Sequence, residues 1–213
     1  MDFSEFRLWA LTKRMEKVVD NLKNNGFSAR FYTEVESGIN DILKGIPQGS
    51  TIGIGGSVTI RELGLIDRLK TQGCEVVEHW ARSEPRDDEL RRKACSCQYY
   101  LSGTNAITED GYLVNTDGVG NRIAALSYGP KNVYIVSGVN KVVKDLHQAI
   151  WRIKNIAAPA NGRRVKAKTP CVETGICSDC SSPGRICRAT LILERAPFRS
   201  NYQVIILNQI LGL

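Results

Sequence analysis

The chain reads as an α/β protein: an open, mostly parallel sheet with helices, followed by a C-terminal cysteine-rich segment. Three observations predict it. Short apolar runs alternate with stretches of helical period, the signature of successive strand–helix units. At 213 residues, 42% hydrophobic and 24% charged, the chain has ordinary globular composition and enough length to bury a core without disulfide staples. After Pro159 the pattern dissolves into a basic stretch that contains four of the seven cysteines. Residues 1–160 therefore read as the α/β ligand-binding domain, and residues 161–213 as a C-terminal segment packed on that core.

Residues 3–25 space Leu8, Leu11, Met15, Val18 and Leu22 three and four apart, predicting an amphipathic helix that ends at Gly26. An alternating stretch from Ala29 to Tyr32 and a helix from Ser37 to Leu43 follow, with Gly45 and Pro47 as punctuation. Thr51 to Ile54 reads as a buried strand, Gly55-Gly56-Ser57 as a turn, and Val58 to Lys70 as one helix. Thr59-x-x-Glu62 matches a capping box. Glu75 to Glu78 predicts a strand and Asp87 to Ala94 a helix, leading to Tyr99-Tyr100-Leu101-Ser102. Two apolar stretches between Asp110 and Leu126, divided by a glycine-rich turn, predict a hairpin added to the sheet or folded over it. Val133 to Val136 is the clearest strand, and Val142 to Ile156 a strong helix. Apolar runs resume at Leu191 to Leu193 and Val204 to Leu207.

The net charge of +7 is local. Residues 152–199 hold ten Lys and Arg against three acids, so this segment carries the whole excess. That distribution disfavours a nucleic-acid-coating protein. No run of 18 apolar residues predicts a membrane span. The N-terminus lacks a secretory pattern, and seven cysteines is an odd number; both predict a cytoplasmic, reducing environment.

Four cysteines form the cassette Cys171-x5-Cys177-x2-Cys180-x6-Cys187. Pro170, Gly175, Pro183 and Gly184 allow the tight turns that aim several sulfurs at one centre. Four thiolates favour zinc or an iron–sulfur cluster, and the spacing does not choose between them. Four unliganded thiols used in redox exchange is the competing reading. Arg185 and Arg188 flank Cys187 and would offset thiolate charge. The remaining basic surface suits an acidic partner or an anionic substrate. Cys74 reads as a buried hydrophobe; Cys95 and Cys97 close a charged helix and carry no assigned role.

Two further constellations bear on chemistry. Gly53-x-Gly55-Gly56-Ser57 joins a strand to a helix, an arrangement that offers backbone N–H groups to an anion, with the Ser57 and Thr59 hydroxyls as added donors. It is not GxxxxGK(S/T), and Val58 stands where a dinucleotide fingerprint has its third glycine, so neither a P-loop nor a nicotinamide site is expected. The competing reading is a tight connection without a ligand. Residues 103–111 and 115–122 are dense in Asn, Asp, Thr and Gly, which form turns in their own right. Arg122 offers a fork for carboxylate or phosphate, and Glu109 and Asp110 offer carboxylates suited to base or nucleophile. His79 follows a strand and reaches toward its edge, while His147 reads as structural.

These residues resemble the lactate-utilization (LUD) domain family. The likeness is carried by GIGGSVTIRELGL (53–65), SGTNAITEDGYLVNTDGVGNRIAALSYGPKNVYIVSGVNKVV (102–143) and AAPANGRR (157–164), and it covers most of residues 1–164. The resemblance implies a fold like that of the ribose-phosphate isomerase and CoA-transferase group. It also implies a role in iron–sulfur-dependent oxidation of L-lactate to pyruvate, or in a related organic-acid pathway. Asn105, Asn121 and Arg122 are nominated as ligand-facing because they lie in the matched motif. The four-cysteine cassette departs from the small lactate-utilization subunit and marks a variant branch carrying its own iron–sulfur cluster, with zinc as the alternative. The partners implied are a small anionic substrate (carboxylate, phosphate or CoA ester) and other subunits of a redox complex. Two alternatives stand beside this. One is a zinc-stabilised binding or regulatory protein; the other is a free-standing isomerase or acyl-transfer enzyme using Glu109 or Asp110.

Overall fold

Six parallel strands form the main sheet of the computed structural model, which describes residues 3–80 and 87–213. Across the sheet they run β1 (Ser28–Tyr32), β10 (Asn201–Leu207), β7 (Asn132–Gly138), β4 (Tyr99–Gly103), β2 (Thr51–Ile54) and β3 (Glu75–Glu78). Every neighbouring pair is parallel. The chain moves outward from β2 to β3, then returns to lay β4 on the other side of β2. Such a reversal opens a crevice beyond the carboxyl ends of the two strands.

Helices cover both faces, and the strand residues alternate between them as a pleated backbone requires. Val133, Ile135, Val204 and Ile206 pack with Met15, Val18 and Leu22 of α1 (Ser4–Asn24). Their neighbours Tyr134, Val136, Ile205 and Leu207 pack on the opposite face. There they meet Ile39 and Ile42 of α2 (Val35–Gly45) and Leu65 and Leu69 of α4 (Leu65–Thr71). The remaining helices of this part are α3 (Val58–Glu62), α5 (Asp87–Ala94) and α6 (Asn121–Tyr128).

A second sheet of four strands runs β8 (Val142–Val143), β5 (Ala106–Thr108), β6 (Leu113–Asp117), β9 (Ala189–Leu193). Ala106 and Val114 from this sheet pack against Ala149 of α7 (Leu146–Arg152) and the following Ile153. A π-helical turn over Ile153–Ala157 then leads into α8 (Ala158–Arg164), and α9 (Pro170–Thr174) opens the cassette. No helix among the described residues is long and apolar enough to cross a membrane.

Four expectations are corrected by this arrangement. The single helix expected over 58–70 is two, because Gly64 adopts φ 61° between α3 and α4. The capping box does not form; Ser57 is the N-cap, its side chain accepting from Ile60 N, and Thr59 lies inside the helix. The hairpin is β5–β6, and the second apolar stretch after it is α6 rather than a strand. The helix expected from Val142 begins instead as the β-branched strand β8. It becomes helical only after Asp145, whose side chain caps α7 by accepting from Gln148 N.

The segment after residue 160 also differs from a piece packed on a finished core. β9 pairs with β6, and β10 lies between β1 and β7. The reason is visible in Val204-Ile205-Ile206-Leu207, which is apolar on both faces and is wholly buried only inside a covered sheet.

Candidate functional site

A cleft of about 800 Å³ opens beyond the carboxyl ends of four adjacent strands. The residues that follow β3 (His79, Trp80), β2 (Gly56, Ser57, Thr59), β4 (Thr104, Asn105) and β7 (Lys141) line it. The opposite wall comes from Thr116 and Asp117 of β6, Asn161 and Arg164 of α8, and Ile186 and Cys187 of the cassette. Ser57 Oγ accepts from Ile60 N at 3.3 Å and from Gly103 N at 3.0 Å, so one hydroxyl ties the ends of β2 and β4 together. The cleft therefore lies at the reversal of strand order, where open α/β sheets place their ligands.

The three glycines of the turn have separate physical reasons. A Cβ on Gly53 would collide with the backbone carbonyl of Ala94, so this glycine lets α5 approach β2. A Cβ on Gly55 would come within 2.5 Å of the Tyr100 hydroxyl, and one on Gly56 within 2.5 Å of the Trp80 indole nitrogen. Of the three, Gly56 lines the cleft.

Arg122 enters the cleft wall with its guanidinium already engaged. Nε and Nη2 donate to Asp117 Oδ1 at 2.9 and 2.7 Å. Nη1 donates to Asn115 Oδ1 at 2.9 Å, and Nη2 also to Asn105 Oδ1 at 2.7 Å and Thr116 O at 3.0 Å. The second Asp117 oxygen accepts from Ile123 N at 3.0 Å. The fork expected to hold a ligand thus holds the β5–β6 sheet to α6, and its charge is balanced by Asp117.

Three other cations are not balanced. Lys141 is 4% exposed, and its Nζ donates to Thr59 Oγ1 at 2.9 Å. Burial, with the fields of Arg152 and Arg122, pushes its ammonium down to about 7, against a weaker opposing pull from Glu62. Arg152, equally buried, donates to the backbone carbonyls of Asn140, Asn105 and Leu213 at 3.1, 2.8 and 3.2 Å, pinning the ends of β4 and β7. Arg164 stacks over the Trp80 ring at 4.1 Å from its centroid and donates to Asn161 Oδ1. Among the described residues none of these three has an Asp or Glu side chain within ion-pair distance. His79, half-buried on the same rim, is held below the usual imidazole range by burial and then by Arg91.

Several residues singled out by sequence lie here: Gly56, Ser57, Thr59, Asn105, Asn121 and Arg122 all line the cleft. Gly53 and Gly55 stand behind it. Glu109 and Asp110 lie elsewhere, on the turn between β5 and β6 against α1. There Arg14 Nε donates to Glu109 Oε1 at 2.7 Å, and Asn25 Nδ2 donates to the Asp110 carbonyl at 2.8 Å. The sequence reading missed Lys141, Arg152, Arg164 and Trp80. Lys141 lies among valines in Val139-Asn140-Lys141-Val142-Val143, directly after the clearest strand, where nothing in the pattern marks it.

The cassette is folded around Arg185, not around its sulfurs. Arg185 donates to the carbonyls of Cys180 and Cys187 at 2.8 and 2.9 Å and to Asp179 Oδ1 at 3.0 Å. Lys154 reaches the same aspartate at 2.9 Å. Cys177 Sγ accepts from Asp179 N at 3.4 Å, and Cys171 Sγ lies 3.4 Å from Thr169 Oγ1. Hydrogen bonds from Ser182 hold the Cys180 thiol below its usual range. Of the four, Cys187 reaches the cleft. Among the described residues no three His, Cys, Asp or Glu side chains converge as a metal site. Cys74 and Cys97 are buried, and Cys95 partly so.

The LUD domain family model matches residues 15–207, and the chain belongs to that family. Among solved structures it is similar to a DUF162 family protein from Deinococcus radiodurans, at 14% identity and a TM-score of 0.55. The match covers 92% of this chain and 98% of that one. Weaker likenesses are to eIF2B beta from Chaetomium thermophilum (14% identity, TM-score 0.37, covering 53% of this chain and 44% of that one) and to ribose 5-phosphate isomerase A from Methanocaldococcus jannaschii (16%, 0.33, 59% and 65%). No curated protein matches the chain.

Proposed function

We propose that this chain binds a small organic anion in the cleft and serves organic-acid metabolism of the L-lactate-to-pyruvate type as the component that holds the acid. The observation that carries the reading is the set of three cations, Lys141, Arg152 and Arg164, gathered at the carboxyl end of the sheet without an Asp or Glu partner of their own. Lys141 and Arg152 are buried, where uncompensated charge is costly and an anionic ligand offsets it, while Arg164 is exposed. Ser57, Thr59, Thr104 and Asn105 supply the hydroxyl and amide groups that orient such a ligand. Family membership supports the choice of organic acids over other anions. The electron relay expected from the sequence is no part of this reading, and nothing in it passes through a metal.

Calorimetric titration of the full chain with L-lactate, pyruvate and ribose 5-phosphate at constant ionic strength tests it. The expected result is one-to-one binding of a carboxylate, weakened about tenfold or more in Arg164→Ala, the loss of one charge-assisted contact. Absence of binding by all three anions would sink the proposal.

A further inference from the structure

Lys141 combines features that a purely structural lysine does not need. It follows β7 and is only 4% exposed, yet it is part of the cleft lining. The partner of its amine is a hydroxyl, Thr59 Oγ1 at 2.9 Å. The charged groups that act on it are Arg152 and Arg122, which disfavour the ammonium, and Glu62, which favours it. A desolvated lysine beside other cations keeps a lone pair on nitrogen near neutral pH, which is the condition for amine nucleophilicity. Arg164, also in the lining and free of an acidic partner, is the cation placed to take a substrate carboxylate.

We propose that Lys141 is a catalytic nucleophile that condenses through Nζ with the carbonyl carbon of a 2-oxo carboxylate, with the Thr59 hydroxyl relaying the proton. The inference rests on the cleft being an organic-anion site and narrows its ligand to acids with a carbonyl beside the carboxylate. In the first step the nitrogen lone pair forms the C–N bond. The carbonyl π pair moves to oxygen, and the proton released by nitrogen passes to that oxygen through Thr59. In the second step the hydroxyl leaves as water with the remaining proton of the nitrogen, and the C=N bond closes. Amine and ketone give imine and water. No oxidant or reductant is consumed.

Borohydride trapping reads this directly. The full chain is incubated with pyruvate, and separately with 2-oxoglutarate, then reduced and examined by intact mass and peptide mapping, with calorimetry on the unreduced samples in parallel. The expected result is a single secondary-amine adduct mapped to Lys141 in the unmodified chain, absent from Lys141→Arg. In Thr59→Val the adduct still maps to Lys141 but forms on the order of 100-fold more slowly, the usual cost of a lost proton relay. A 2-oxo acid that binds calorimetrically but gives no adduct, or adducts scattered over surface lysines, would overturn the lysine chemistry while leaving the anion site standing. No binding and no adduct with either acid overturns the lysine chemistry too. If lactate and ribose 5-phosphate also fail to bind, the anion site falls with it.

Discussion

Arg122 and Lys141 show how a charged side chain comes to rest inside this protein, and they do so in opposite ways. Arg122 has every guanidinium nitrogen engaged and a carboxylate, Asp117, beside it. Its charge is retained because it is paired. Lys141 has a hydroxyl partner and two arginines acting against it, so its proton is held weakly. The consequence is measurable as linkage. An unfolded lysine titrates near its ordinary value of about 10.4, while the folded amine titrates at about 7. Between those values the unfolded chain binds the extra proton, so the contribution of Lys141 makes the unfolding free energy rise with pH. Below the folded value both states are protonated, and the folded state bears the full cost of a buried ammonium. Lys141→Met removes that cost. Urea unfolding is expected to show the variant more stable than the parent by on the order of a few kcal/mol at about pH 6, the margin narrowing as pH approaches about 10. Parallel pH dependences in the two chains would mean that the amine is not desolvated.

At the scale of elements, the glycine turn after β2 is shaped by packing as much as by any ligand. Gly53 admits the α5 backbone, and the atoms a Cβ would strike, Ala94 O, C and Cα, belong to a helix that cannot yield as a side-chain tip can. Gly53→Ala is therefore expected to destabilise by roughly 1–3 kcal/mol, the cost of overpacking, with anion affinity unchanged while the protein is folded. Thermal unfolding and calorimetry on the same sample check both halves; a stable variant with lost affinity would return Gly53 to the ligand. The main sheet was legible in the sequence because its strands are apolar runs bounded by turn residues. The second sheet was not, because β8 has two residues and β5 three, too few for any period to show. Ser57 was legible as a cleft residue because it sits in the turn beyond a parallel strand, at its ligand-bearing edge, whereas Asn105 and Asn121 were reached through the matched family motif. Lys141 was illegible for the converse reason: lysine is almost never fully buried, so its place in an apolar run reads as noise. Glu109 and Asp110 look chemically apt in sequence, yet the turn carries them to α1, where Glu109 pairs with Arg14.

The whole molecule is closed by its last strand. β10 is hydrogen-bonded to β1 on one side and β7 on the other, so β1 joins the sheet through β10 alone. Val204, Ile205, Ile206 and Leu207 are all fully buried, two facing each helical layer. The cassette between residues 165 and 188 thus spans two integral parts of the fold, and its far end is fixed by Arg188 N donating to Asp117 O at 3.0 Å. A chain ending at residue 160 retains the first two LUD-like sequence stretches, cuts the third, and loses the strand that joins β1 to the rest. It also exposes the inner faces of α1 and α2 that packed on β10. Burial of each such side chain contributes about 1.5–3 kcal/mol, and four of them exceed or rival the net stability of an ordinary domain. The truncated chain is expected to lack a cooperative unfolding transition and the dispersed amide spectrum of the full chain. A truncated protein that unfolds cooperatively, with its amides dispersed, would instead make residues 161–213 a separable appendage. Residues 161–213, with eight Lys and Arg against three acids, would then carry +5 of the +7. In the fold described here one of those cations, Arg164, already lines the cleft.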